Sequence, residues 1–96
     1  MRLKDHRSVS RVNVQRPIKV QPVNQKDGDF EDISNTENAS KRGIYFLTAV
    51  PRYFVGMRVY VTLPYSPDGQ GRQHFGQIVR VEKIATGKRG VAVQFL

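Results

Sequence analysis

The sequence predicts an all-β domain of about six short strands, folded as a small sandwich or a closed barrel. Three observations predict it. Apolar residues recur at period two, not at the helical period of 3.6. Clusters of Gly, Pro, Asn, Asp and Ser punctuate the chain between those runs. The chain has 96 residues, enough for one modest core, and its hydrophobic content of 39% can build it.

The first sixteen residues carry few apolar side chains and no periodic stripe. They read as a flexible basic N-terminal arm ahead of a β domain over 17–96. From Pro17 the pattern changes. Ile18 and Val20 alternate with polar neighbours, and Asn24-Gln25-Lys26-Asp27-Gly28 reads as a turn. Phe30 to Asn38 is a polar, weakly patterned strand. Ile44-Tyr45-Phe46-Leu47 is apolar on both faces, as a central strand would be. Met57, Val59, Val61 and Leu63 alternate with Arg58, Tyr60 and Thr62, which marks a half-buried strand. Ser66-Pro67-Asp68-Gly69 is a turn, Phe75 to Ile84 a strand, and Ala85-Thr86-Gly87-Lys88 the next turn. Lys88-Arg89-Gly90 reads as a turn before Val91, Val93 and Phe95, which alternate with Ala92 and Gln94. Closure into a barrel would remove the edges that a small open sheet exposes. Most aromatics are expected to pack in the core or across strands. An exposed Tyr53-Phe54 pair would instead mark a partner surface.

Charge narrows the function classes. Sixteen Lys and Arg against eight Asp and Glu give a net charge of +8, which points to an anionic partner. The excess is concentrated at the N-terminus: Arg2, Lys4, Arg7, Arg11, Arg16 and Lys19 stand against Asp5. Asp27, Asp29, Glu31, Asp32 and Glu37 then form an acidic stretch that reads as loop surface. There is no Cys, so disulfides and thiolate metal sites are excluded. The two His, His6 and His74, are too far apart in the chain to suggest a metal site. No apolar run approaches the roughly 20 residues of a membrane span, and Met1 to Val20 lacks the apolar block of a secretory signal. A cytoplasmic protein without membrane insertion is expected.

Two short motifs carry chemistry. Arg7-Ser8-Val9-Ser10-Arg11 is an RxxxR spacing, which lets two guanidiniums converge from one helical turn or tight bend. Each offers a planar fork of donors for phosphate or for the O6/N7 edge of guanine. Asn38-Ala39-Ser40-Lys41-Arg42-Gly43 is an NxSxxG pattern between two strands. Its Asn and Ser can hydrogen-bond a base edge, and its Gly admits a positive φ and a close backbone approach to a ligand. Asp32-Ile33-Ser34 begins the same way, but Glu37 falls where Gly belongs, so the later register is preferred.

Together the motifs change the weighing. RxxxR before the first strand, NxSxxG leading into the third, three alternating strands and the ending Gly90-Val91-Ala92-Val93-Gln94-Phe95 resemble the PilZ domain family. The resemblance runs from about Arg7 to Phe95. It implies a six-stranded antiparallel β-barrel of bacterial origin, and in many members the binding of cyclic di-GMP. By that resemblance Arg7 and Arg11 clamp phosphate and guanine, Asn38 and Ser40 read a guanine edge, and Gly43 keeps the turn tight. Arg80 lies on the strand where family members often place a base-stacking side chain. His6 stands where the family often has a further Arg and would neighbour the clamp. Asn38 replaces the commoner Asp. It keeps an acceptor but loses the negative charge that favours guanine N–H groups.

The function expected is a second-messenger receptor whose arm reorders on binding and signals to an unidentified effector protein. No His–carboxylate, Ser/His/Asp or metal constellation occurs at useful spacing, so a binding module is expected and not an enzyme. The alternatives are a small nucleic-acid-binding β-barrel, for which basic charge is not interleaved with aromatics on one strand, and a PilZ-like adaptor without ligand.

Overall fold

Six strands close on themselves in the computed structural model, which describes residues 15–69 and 71–96. They are β1 (Pro17–Pro22), β2 (Asp32–Ala39), β3 (Gly43–Thr48), β4 (Arg58–Leu63), β5 (Arg72–Ala85) and β6 (Lys88–Phe95). Around the barrel the order is β1-β2-β3-β6-β5-β4, with β4 pairing back onto β1. Every neighbouring pair is antiparallel. A 3₁₀ turn, Gln25–Asp27, is capped by the Asn24 side chain, which accepts from the Lys26 N–H.

The core follows from period two. Ile18 and Val20 on β1, Ile44 and Phe46 on β3, Val59 and Val61 on β4, Ile78 on β5, and Val91 and Val93 on β6 all point inward and are buried. Met57 plugs the barrel just before β4. A slip of one residue in any strand would turn its apolar set out to solvent, so this alternation fixes the register.

Three elements differ from the sequence reading. The β5–β6 hairpin is longer than expected, because β6 begins at Lys88 and takes in Lys88-Arg89-Gly90. The turn is confined to its tip, where Gly87 adopts φ 74°. β3 is not buried on both faces: Ile44, Phe46 and Thr48 face the core, while Tyr45 and Leu47 are half-buried on the outside. Tyr53 and Phe54 do not form an exposed pair. Tyr53 is buried in the core, and only Phe54 is exposed, at 47%.

The acidic stretch also holds a surprise. Asp32 opens β2 and is only 7% exposed. Its carboxyl group accepts from the Thr48 hydroxyl at 2.6 Å, the Tyr53 hydroxyl at 2.7 Å and the Ser34 hydroxyl at 2.9 Å. Three donors replace the water that burial removed, which is the condition for keeping such a group inside. The Tyr53 ring meets Phe46 and Phe30 edge-on, with centroids 5.7 and 5.5 Å away. Asp32 thus ties the loop between β3 and β4 to the start of β2.

Burial and the bond to Asp32 push the Tyr53 phenol well above its ordinary range. A raised folded-state pKa gives stability that is full below the ordinary phenol value of about 10 and is lost as pH climbs above it. Tyr53→Phe should therefore lower unfolding stability by about 1–3 kcal/mol at neutral pH, since the buried carboxyl group loses a donor. The variant should also lose stability less steeply than the parent above pH ~10. Urea titrations at neutral and alkaline pH read both effects.

Candidate functional site

The connection from β2 to β3 is short and internally bonded. Asn38 and Ala39 end β2, Ser40-Lys41-Arg42 turn, and Gly43 begins β3. The Ser40 N–H donates to the Gly43 carbonyl at 2.9 Å, and the Ser40 hydroxyl accepts from the Arg42 N–H at 3.1 Å. The Phe95 N–H donates to the Arg42 carbonyl at 2.7 Å, which fastens the turn to the end of β6. Gly43 is required here for space and not for a positive φ: a Cβ at this position would run into the Val93 carbonyl oxygen. Backbone to backbone, that contact leaves β3 and β6 no flexible atom to move aside.

Four residues form one line across the outside of the barrel. Asn38 on β2 lies opposite Tyr45 on β3, Tyr45 opposite Ala92 on β6, and Ala92 opposite Arg80 on β5. Three interstrand steps make the row roughly 14 Å long. Each end is set by an irregularity. The β2–β3 register shifts between Thr36 and Asn38, and the β5–β6 register shifts between Ile78 and Arg80. Such β-bulges re-aim the residues that follow them. Thr36 and Ile78 face the core, whereas Asn38 and Arg80 face outward.

β6 supplies a low floor between these ends. Its outward residues Gly90 and Ala92 are small, and the Tyr45 side chain lies across Gly90 so closely that a Cβ there would strike the hydroxyl. The Tyr45 hydroxyl then donates to Glu82 Oε2 at 2.6 Å on β5. That bond, with partial burial and the carboxylate charge, raises the phenol pKa and keeps it a donor. The Arg80 guanidinium sits over the Tyr45 ring at 5.6 Å and 3.9 Å from Glu82 Oε1. The result is an open depression of about 1110 Å³ whose rim carries Asn38, Ser40, Lys41, Arg42, Arg80 and Glu82. Three cations against one carboxylate give it a positive bias suited to an anionic ligand.

Of the residues singled out from sequence, Asn38, Ser40, Gly43 and Arg80 meet at this depression. His6, Arg7 and Arg11 lie outside the described residues. The chain enters the barrel beside the site: the Arg16 N–H donates to the Thr36 hydroxyl at 3.0 Å, and the Thr36 N–H donates to the Arg16 carbonyl at 2.9 Å. Thr36 is two residues before Asn38 on β2. Tyr45, Ala92 and Glu82 were not foreseen as parts of the site. Alternation with Ile44 and Phe46 signals that Tyr45 faces out, and Glu82 shares a face with Arg80 at period two, but the bulges that align the row leave no mark in the sequence. Among the described residues no group of three or more His, Cys, Asp or Glu could hold a metal ion.

The model of the PilZ domain matches residues 4–96. The chain belongs to the PilZ domain family. No curated protein matches it. Among solved structures it is similar to the Bacillus subtilis inhibitor of motility (MotI/DgrA), with a TM-score of 0.67, 15% identity and 97% of this chain covered. The similarity covers 43% of that chain, so this PilZ domain spans less than half its length. It is also similar to the PilZ domain of CeSA from a cellulose-synthesizing bacterium, with a TM-score of 0.63 and 21% identity, covering 90% of this chain and 80% of that one. At these identities the likeness is one of fold.

The closed contact at Gly43 separates a structural role from a ligand role. Gly43→Ala in this PilZ domain should destabilise the barrel by about 1–3 kcal/mol through overpacking, before any ligand is added. Thermal unfolding of the ligand-free variant measures it. An unchanged midpoint would mean that β3 and β6 can separate locally.

Proposed function

We propose that this PilZ domain is a bacterial receptor for cyclic di-GMP that acts as an adaptor and not as an enzyme. The observation that supports it is the convergence of Asn38, Ser40, Gly43 and Arg80, chosen from sequence, on one positively biased depression. In this reading Asn38 and Ser40 hydrogen-bond one guanine edge at the β2–β3 turn. Arg80 stacks its guanidinium on a base at the far end, where it lies over the Tyr45 ring at 5.6 Å.

Arg7 and Arg11 supply the phosphate clamp from the arm. Their bonds are charge-assisted and unavailable until ligand is present, so binding and arm ordering are one equilibrium. The barrel itself is closed, with each of its strands paired on both edges. The arm is therefore the part that changes, and a partner protein reads it in proportion to the ligand's differential affinity for the two arm states. One similar barrel belongs to an inhibitor of motility and another to CeSA. A module whose output is set by what it touches fits both settings. No helix among the described residues is long and apolar enough to cross a membrane.

Isothermal titration with cyclic di-GMP tests the reading, with GTP and a short single-stranded oligonucleotide as controls. Saturable binding of cyclic di-GMP alone is expected. Salt-sensitive binding of the oligonucleotide without cyclic di-GMP would favour a nucleic-acid barrel, and silence with all three a ligand-free adaptor. Replacing Arg7 or Arg11 by Ala should remove about 1.5–3 kcal/mol each, roughly ten- to a hundred-and-fiftyfold in affinity. Retained affinity in the double variant would sink the clamp.

A further inference from the structure

We infer that the Glu82 carboxylate, held by Tyr45, selects guanine over adenine at the Arg80 end of the depression. The inference rests on the cyclic dinucleotide reading above and concerns a residue outside both of the motifs.

The geometry presents an acceptor in the right place. Glu82 follows Arg80 by two residues on β5, so both face outward, roughly 7 Å apart along the strand. A base stacked on the Arg80 guanidinium would bring its edge toward that next outward position. The Glu82 side chain is 43% exposed there and lines the same depression. Its Oε2 takes the Tyr45 hydroxyl at 2.6 Å, which fixes the carboxylate in one orientation. Its Oε1 is 3.9 Å from Arg80 Nε, beyond hydrogen-bonding distance. Among the described residues it has no hydrogen-bond donor, so acceptor sites remain open toward the depression.

The chemistry then favours one base. A carboxylate has about four lone-pair sites and accepts two parallel donors. Guanine's Watson–Crick edge offers such a pair, N1–H and the N2 amino group. Adenine presents a bare N1 acceptor there, which would face the carboxylate lone pairs. A buried or oriented acceptor left without its donor is what makes such sites selective. Asn38 at the opposite end is neutral. Glu82 is therefore the carboxylate that the depression offers to a base, supplied from a different strand.

The sign of the effect separates it from bulk charge. Removing a negative charge beside an anionic ligand should strengthen every cyclic dinucleotide on Coulomb grounds. Loss confined to guanine needs a specific bond. The experiment titrates the full chain and Glu82→Gln with cyclic di-GMP and cyclic di-AMP. Gln keeps an acceptor for the Tyr45 hydroxyl, so the thermal midpoint should hold. The parent should prefer cyclic di-GMP, and Glu82→Gln should lose about ten- to a hundredfold for it with no loss for cyclic di-AMP. Tyr45→Phe, which frees the carboxylate to wander, should lose part of the same preference. An undiminished preference in Glu82→Gln, or equal weakening of both ligands, would overturn the inference and leave the receptor reading intact. A parent that binds no cyclic di-GMP would overturn both.

Discussion

A closed antiparallel ladder leaves an outward side chain no choice of neighbour. Each strand of this barrel is paired on both edges, so its register is fixed twice. The inward set of Ile, Val, Phe and Met decides that register, and the outward set follows without further specification. The row Asn38–Tyr45–Ala92–Arg80 is the outer side of the ladder that packs Phe46, Ile78 and Val93 within. The depression is therefore rigid for the same reason that the core is packed. Its depth comes from what β6 lacks. Gly90 and Ala92 leave room that Tyr45 and Arg80 fill from either side.

The fold was legible because period two survives almost everywhere. It fails at β2, whose inward residues are Asp32 and Thr36 in place of apolar side chains. A polar strand with one buried carboxyl group looks like loop surface, because its partners Thr48 and Tyr53 lie 16 and 21 residues away. No local rule brings them together. Asp32 and Ser34 even mimic the start of the motif that appears at Asn38, and the two registers have opposite fates. The buried Asp32 accepts from Ser34 at the barrel core while Ile33 between them is exposed, and Asn38 and Ser40 rim the depression past a bulge. In the sequence, only Glu37 in the place of Gly separates the two registers. The physical need for Gly43 proved to be the Val93 carbonyl and not backbone handedness.

The candidate site was half legible. Asn38, Ser40 and Gly43 alone read as an ordinary turn, and they could be named because NxSxxG follows RxxxR in the order of the family resemblance. Arg80 could be named through the family resemblance alone. Tyr45 and Glu82 could not, since an aromatic on a strand packs far more often than it positions anything, and a surface Glu is the commonest kind of Glu. Only the pairing across β6, with its small residues, shows that they touch. Bulges at both ends of the row matter equally, and no residue type announces them here.

Under the proposed clamp, energetics would connect the arm to the barrel. Holding the five residues from Arg7 to Arg11 in one conformation costs about 1–2 kcal/mol each in backbone entropy, so about 5–10 kcal/mol together. Two charge-assisted Arg contacts would contribute about 3–6 kcal/mol. The clamp alone does not exceed its own ordering cost with enough left for tight binding. The balance would have to come from the surface, where Arg80 already lies over Tyr45, Ser40 is already bonded into its turn and Tyr45 is already bonded to Glu82. In the proposed receptor, ligand held by the barrel would lower the cost of recruiting the arm, and the arm's guanidiniums would raise the affinity of the barrel. That mutual dependence would let arm position report occupancy.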